Sequence, residues 1–438
     1  MRKGGKDLKR EKDNDISRLG RATVRMRSVR DKIRAKNFLV SLFDKERQLA
    51  SYSGPESSEE AKLSYGIGIA RIVSVILLAC LLLLTLIFGS GTVSYEKVYY
   101  MFKDIGYVKS YGESVPSTLS YSMPVQNQDL AVFKNGIAIA GDSEIKMFTS
   151  TGRMTMTLGS EFTNPRMSTS NEYVLIYDQG RQSYAVYNSF ICVHSEKLDF
   201  PIAYAEMAEN GSFLIVTSSK SYTSLVKIYN SSLELVSEYS KNDRVVSASL
   251  SSDGRYAAVL SLSVESGDAL STLNVIDTYS SVVKYSVSFK GSMPYSCEFL
   301  TDDRIAVILD NKAVVYDRAG AQRSEFTYSG SLSRLDFYGS RYALLISDGS
   351  GSQNSTVAVF NKDGTPVFTD IISGSVRDMK ISDSAVYFLK SSEIVKVNTA
   401  FGTVSRADTV SDKASILVFS DGRVAVCTQT TARYIPFE

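Results

Sequence analysis

Ser251–Leu260 reads SSDGRYAAVL, and Ser420–Val426, close to the C-terminus, reads SDGRVAV. An Asp-Gly pair followed by a β-rich apolar run marks a tight turn that opens a strand. If both stretches belong to one repeat, the same turn must recur between them at a steady period. It does. Turn residues fall at Asn135, Asn171, Asn210, Asp253, Asp302, Gly339, Asp383 and Asp421, spaced by 36, 39, 43, 49, 37, 44 and 38 residues. Each precedes an apolar strand: GIAIA, EYVLIY, SFLIV, RYAAVL, RIAVIL, RYALLI, AVYFL and RVAVC. A second marker, a large or aliphatic residue ahead of a turn residue, keeps step at Phe148, Tyr187, Tyr229, Ile276, Tyr316, Phe360 and Val397, with a less typical eighth case at Tyr434. Two independent markers in phase through eight copies rule out coincidence.

A period of roughly 40 residues with about four short strands per unit is that of a β-propeller blade. Polar–apolar alternation and the wealth of Val, Ile, Tyr and Thr agree. The sequence predicts an all-β fold: an eight-bladed β-propeller over residues 115–438, with seven blades as the alternative. Length varies in segments that read as loops, Ser263–Ser271 (SVESGDALS) and the stretch from Ser347 (SDGSGSQNS), and these are decorations or binding elements. The eighth unit ends at Glu438 one strand short. An open blade edge invites aggregation, so the missing strand must come from upstream. Ser117–Val125 (STLSYSMPV) alternates correctly and is bracketed by Pro116 and Pro124, as suits an outermost strand. It is expected beside Tyr434–Phe437.

Ahead of the repeat, Ile72–Phe88 reads IVSVILLACLLLLTLIF, and no charge appears until Glu96. About twenty helical residues cross a bilayer core, so residues 72–93 are expected to form one transmembrane helix. Residues 1–71 hold 18 Lys/Arg against 10 Asp/Glu, a balance of +8, whereas residues 96–438 hold 31 against 37, a balance of −6. The positive side stays inside, which predicts a plasma-membrane protein with a cytoplasmic N-terminus and an extracellular propeller on a stalk of residues 94–114. Tyr95, Tyr99, Tyr100 and Phe102 fall where an interfacial aromatic belt is expected. In the basic tail, residues 1–14 read as disordered and Arg18–Leu49 as helical. The helical part either lies on the anionic inner leaflet or stays solvated and only enforces topology. No zinc-finger, helix-turn-helix or RNP pattern accompanies the charge, so a nucleic-acid partner is not expected.

Catalytic signals are missing from the sequence. The single histidine, His194, lies in a strand-like run, and no GxSxG elbow is present. Cys80, Cys192, Cys297 and Cys427 are far apart and form no CxxC pair, which excludes a metal cluster and favours buried cysteines acting as small hydrophobes. Asp253 and Asp421 are explained by turn geometry, and Asp302-Asp303 is a turn before it is a calcium site. No catalytic, cofactor or metal residue is assigned and no cofactor is expected.

The SDGR turn-and-strand pattern in Ser251–Leu260 and Ser420–Val426 resembles the degenerate repeats of WD40-like and TolB-like propellers, without the G-H and W-D signatures and without any tryptophan. The whole layout resembles an uncharacterised family of Gram-positive bacterial single-pass membrane proteins with such a propeller as ectodomain. That resemblance implies a surface location and carries no activity with it. The expected function is a non-catalytic module that binds a protein or cell-envelope partner through the propeller loops or channel. The alternative is an extracytoplasmic hydrolase or other propeller enzyme.

Overall fold

The computed structural model describes residues 116–121, 127–349, 354–409 and 414–437, together with residues 70, 73–80, 99 and 103. The chain divides into two compact units, Met1–Val98 and Tyr99–Glu438. In the second unit, 32 strands form eight four-stranded sheets, all paired antiparallel. This is an eight-bladed β-propeller. Blades 1 to 7 cover residues 128–159, 165–197, 204–241, 244–290, 294–327, 331–373 and 378–408, each in simple meander order. Blade 8 combines residues 415–434 with residues 118–120. At seven of the eight junctions the first strands of neighbouring blades pack against each other, including that of blade 8 (Ser415–Val418) on that of blade 1 (Gln128–Phe133), so they line the axis.

The second strands explain how the ring coheres. Gly136–Gly141, Val174–Asp178, Phe213–Thr217 and Ala385–Leu389 are buried at every position. A strand covered on both faces needs no polar alternation; here the alternation chooses between neighbours. In blade 1, Ile137 and Ile139 face blade 8, while Ala138 and Ala140 face blade 2. In blade 5, Ile305, Val307 and Leu309 join blade 4, and Ala306 and Ile308 join blade 6. The core is therefore eight apolar layers, one between each pair of adjacent blades.

The closing strand is where the sequence placed it, but shorter and in another register. Thr118–Ser120 is the outer strand of blade 8 and pairs Thr118 with Arg433, Leu119 with Ala432 and Ser120 with Thr431. The expected partner, Tyr434–Phe437, is used only at its first residue, where the Tyr434 amide donates to the Ser117 carbonyl at 3.0 Å. Two features stop the ladder there. Ile435 turns its amide inward to the Val424 carbonyl at 2.9 Å, and Pro436 has no amide to donate. Residues 122–125, the rest of the expected strand, lie outside the described residues. Leu119 and Tyr121 are buried against Ile137, Ile139 and Phe419. The Tyr121 hydroxyl donates to the Thr428 and Thr431 carbonyls.

Three other expectations are corrected or left outside. The Ser263–Ser271 segment is no loop: strands Tyr256–Glu265 and Asp268–Asp277 pair along their full ten residues, and only Ser266 and Gly267, both at positive φ, form the turn. Cys80 and Cys192 are exposed, the latter on the outer strand of blade 2, whereas Cys297 and Cys427 are buried as expected. Among the described residues no helix is long and apolar enough to cross a membrane. Residues 73–80 are helical with Val73, Val75, Ile76, Leu77 and Leu78 exposed, and Tyr99 is helical and exposed. The rest of the 72–93 span, nearly all of the 1–71 tail, and Tyr95, Tyr100 and Phe102 lie outside the described residues.

Because closure joins both chain ends, damage to it should reach the whole ring. Leu119→Ala leaves a cavity in the layer between blades 8 and 1 and is expected to cost about 2–5 kcal/mol. It should lower the melting temperature of the entire propeller in one transition. An unchanged midpoint by thermal unfolding would show that the closing strand contributes nothing.

Candidate functional site

The propeller has two faces. The turn face carries the first-to-second and third-to-outer turns; the hairpin face carries the second-to-third hairpins and the connections between blades. Contacts across blade boundaries keep all the SDG-type turns on one face. The Asn210 side chain donates to the Asp253 carbonyl at 2.7 Å. Ser252 donates to Asp302 Oδ1 through its amide at 3.0 Å and its hydroxyl at 2.7 Å. Gly254, at φ +72°, lies so close to blade 3 that a Cβ would stand 2.5 Å from Ser212 Oγ. In blades 5, 6 and 8 an arginine two positions beyond the turn marker is itself a latch. Arg304 Nε reaches Asp363 Oδ1 at 2.8 Å, Arg341 reaches the Asp383 carbonyl, and Arg423 reaches the Ser150 and Asn135 carbonyls at 2.9 and 3.1 Å. The SDGR motif is therefore both a turn and a bridge to the next blade.

A cavity of about 940 Å³ opens along the axis. Lys134, Asn171, Glu209 and Tyr338 stand around it toward the turn face, and Asp129, Asp336, Asp378 and Lys380 line its wall. These carboxylates have work in the fold. Asp129 accepts the Met167 amide of blade 2 at 2.8 Å, and Ser168 accepts the Met207 amide of blade 3 at 2.9 Å. Glu206 accepts the Leu250 amide of blade 4 at 3.4 Å, and Ser249 the Phe299 amide of blade 5 at 3.2 Å. Asp336 accepts the Ile381 amide at 2.9 Å and Asp378 the Ile416 amide at 2.7 Å. At six of the eight junctions, a side-chain oxygen on one first strand thus caps an amide on the next. Amides facing an axis without sheet partners must be satisfied in some way, and these residues do it. Among the described residues Glu298 makes no matching bond to blade 6.

The electrostatics follow from enclosure. Lys380 lies 2.7 Å from Asp336 Oδ1; burial works against its charge, but the carboxylates of Asp336, Asp378 and Asp129 together outweigh burial and hold its pKa above the ordinary value. Burial raises Asp129. Glu206 and Glu298 are half-buried on the first strands of blades 3 and 5, and the Ser249 hydroxyl lies within hydrogen-bonding reach of both. Burial pushes Glu206 up to about 7, although Tyr204, Ser249 and the Leu250 amide oppose it. Burial and the charge of Glu206 push Glu298 well above the carboxylate range. The pair keeps a proton where ordinary glutamates have lost theirs.

The residues weighed from sequence are structural in place. His194 Nε2 is 3.2 Å from the Tyr184 hydroxyl, which donates to Glu196 at 2.6 Å, a closed group on the outer side of blade 2. Asp253 accepts its own turn's Arg255 amide at 2.9 Å, and Asp421 the Arg423 amide at 3.1 Å. Asp302 bridges to blade 4, and Asp303 pairs with Arg304. Among the described residues no three His, Cys, Asp or Glu side chains are placed to hold a metal ion. Sequence reasoning missed the axial acceptors. Their signal was a polar residue three to six positions before each turn marker.

The fold and its axis define a β-propeller of eight four-stranded blades. Residues 112–436 match the profile of a family of unknown function (DUF5711), and the chain belongs to that family. No curated protein sequence matches it. Among solved structures it is similar to BamB from Moraxella catarrhalis, at 11% identity and a TM-score of 0.50 over 73% of this chain and 99% of that one. It also matches Kluyveromyces lactis Hsv2, at 12% identity and a TM-score of 0.44 over 66% and 98%. The C-terminal WD40 domain of Sif2 matches at 15% identity and a TM-score of 0.43 over 58% and 77%. At these identities the likeness is one of fold.

The raised carboxylates give a signed expectation for pH. At low pH both folded and unfolded chains hold the Glu206 proton. Between about pH 4.3, the ordinary glutamate value, and the folded value near 7 only the folded chain holds it. Stability contributed below that window is lost as pH rises through it, by about 1.4 kcal/mol per unit and proton. Glu206→Gln keeps an acceptor for the Leu250 amide and removes the titration. It should melt higher than the native chain at about pH 8 and nearly level with it at about pH 4. Parallel melting curves across that range would remove the pair from the stability account.

Proposed function

We propose that the chain is a membrane-anchored, extracytoplasmic binding module that engages a protein partner and performs no catalysis of its own. In this reading, the apolar run of residues 72–93 is the anchor, the basic N-terminal segment is cytoplasmic, and the resemblance to membrane-anchored propellers of Gram-positive bacteria fits. The propeller then stands outside the cell.

The observation that carries the binding role is the hairpin of blade 4. Its two ten-residue strands are the longest of the second and third strands, and they end on the hairpin face. Val264, at the tip, is 74% exposed. A stiff two-stranded arm that holds an exposed valine beside the acidic turn of Glu265 and Asp268 presents a preordered contact, so little conformational entropy is lost on binding. The channel supports the same reading, because its carboxylates already accept amides from neighbouring blades and the polar groups of blade 2 satisfy one another.

The test is a photo-crosslinking residue in place of Val264, carried by the full chain in its own cells. It should give one discrete protein adduct, and the same residue in place of Lys362, on the opposite face, should give none. No adduct at Val264, or the same adduct from both positions, would reject the arm as the binding element. Turnover of ester, phosphate, peptide or glycoside substrates by the purified chain would reject the non-catalytic role.

A further inference from the structure

We infer that the turn face of the propeller docks on a lipid surface, with Phe401 and Tyr279 as its inserting side chains. The inference rests on the anchored reading above and goes beyond it by assigning the two faces different partners.

The first observation is an apolar rim. Phe401, at the third-to-outer turn of blade 7, is 82% exposed, and Tyr279, at the same turn of blade 4, is 72% exposed. Met154, Leu235, Val282 and Val404 are also exposed, at or just after the corresponding turns of blades 1, 3, 4 and 7. Each is a large side chain held at the start of an outer strand, so one face carries apolar contacts spread around its circumference. A ring of tips suits a plane better than a single protein knob. Aromatic residues at such tips are suited to the headgroup boundary, where an apolar body and a polar edge are both accommodated.

The second observation is where the chain arrives. The closing strand runs from Thr118, beside Arg433, to Ser120, beside Thr431, so it leaves the turn face and proceeds toward the hairpin face. Pro116 lies on that same face against Gly152, where a Cβ would come within 3.0 Å of its Cγ. The Lys103 ammonium lies 4.2 Å from the ring centroid of Phe190, in the third-to-outer turn of blade 2. Only 14 residues separate Phe88, the end of the apolar run, from Lys103, a reach of no more than about 50 Å when extended. In the anchored reading a linker of that length keeps the propeller near the bilayer, so modest insertion suffices.

The third observation concerns charge. Exposed Arg318 and Lys362 share the turn face with exposed Glu172 and Glu209. With both signs present, apolar insertion rather than attraction to anionic lipid holds the contact, and salt should not release it.

The chain contains no tryptophan, so a single introduced indole reports only its own surroundings. The full-length protein is reconstituted into phosphatidylcholine vesicles with or without brominated acyl chains. Flotation with the vesicles establishes anchorage. Phe401→Trp and Tyr279→Trp should then emit to the blue and lose roughly half their emission to brominated lipid, unaffected by salt, since such residues sit about 5–10 Å into the boundary. Val264→Trp, on the hairpin face, should stay unquenched. Flotation with an unquenched indole at 401 overturns docking alone, as does equal quenching at 264. Failure to float overturns the anchored reading and this inference together.

Discussion

Three residues hold the ring shut. Thr118–Ser120 pairs with a strand more than three hundred positions later, and the layer it completes draws on three parts of the chain: Leu119 and Tyr121, Ile137 and Ile139, and Phe419, Ala425 and Cys427. Every other layer is built from blades adjacent in sequence and can form locally. This one cannot. Until it forms, blades 1 and 8 each present an uncovered apolar face, and blade 8 ends in an open edge. The latch of Arg423 onto the turns of blade 1 reinforces the same junction from the turn face.

The channel follows a different physical rule. Strands that converge on an axis leave backbone amides there without sheet partners, and a buried amide left uncapped is costly. Asp129, Ser168, Glu206, Ser249, Asp336 and Asp378 supply oxygens to the neighbouring strand. Burial raises Asp129, Glu206 and Asp336 among the residues with this duty, and perturbed groups arise in structural networks as well as in catalytic ones.

The blades were legible because turn chemistry and strand ends are local, and both markers kept phase. The closing strand was legible from the count of strands, but its register was not: where the ladder stops depends on Ile435 choosing Val424 over the outer strand. The blade 4 arm was misread because Ser, Glu, Gly and Asp signal turns, whereas ten cross-strand pairs override that composition. The axial acceptors were hidden because Asp, Ser and Glu are interchangeable as acceptors and their distance from the turn drifts. The arginine of SDGR looked like the start of a strand; only the placement of the neighbouring blade shows what it holds.

The closing strand also sets how the propeller bears tension. A pull on the chain that overcomes the contact of Lys103 with Phe190 is delivered to the three-residue ladder of Thr118–Ser120 and to the two side chains seated beneath it, Leu119 and Tyr121. The longer ladders of the other blades are out of line with that force. Mechanical failure would therefore start at the seam, and the first event would be the loss of one short strand. What remains is an open ring with its other blades intact, able to recapture the strand once the load is released.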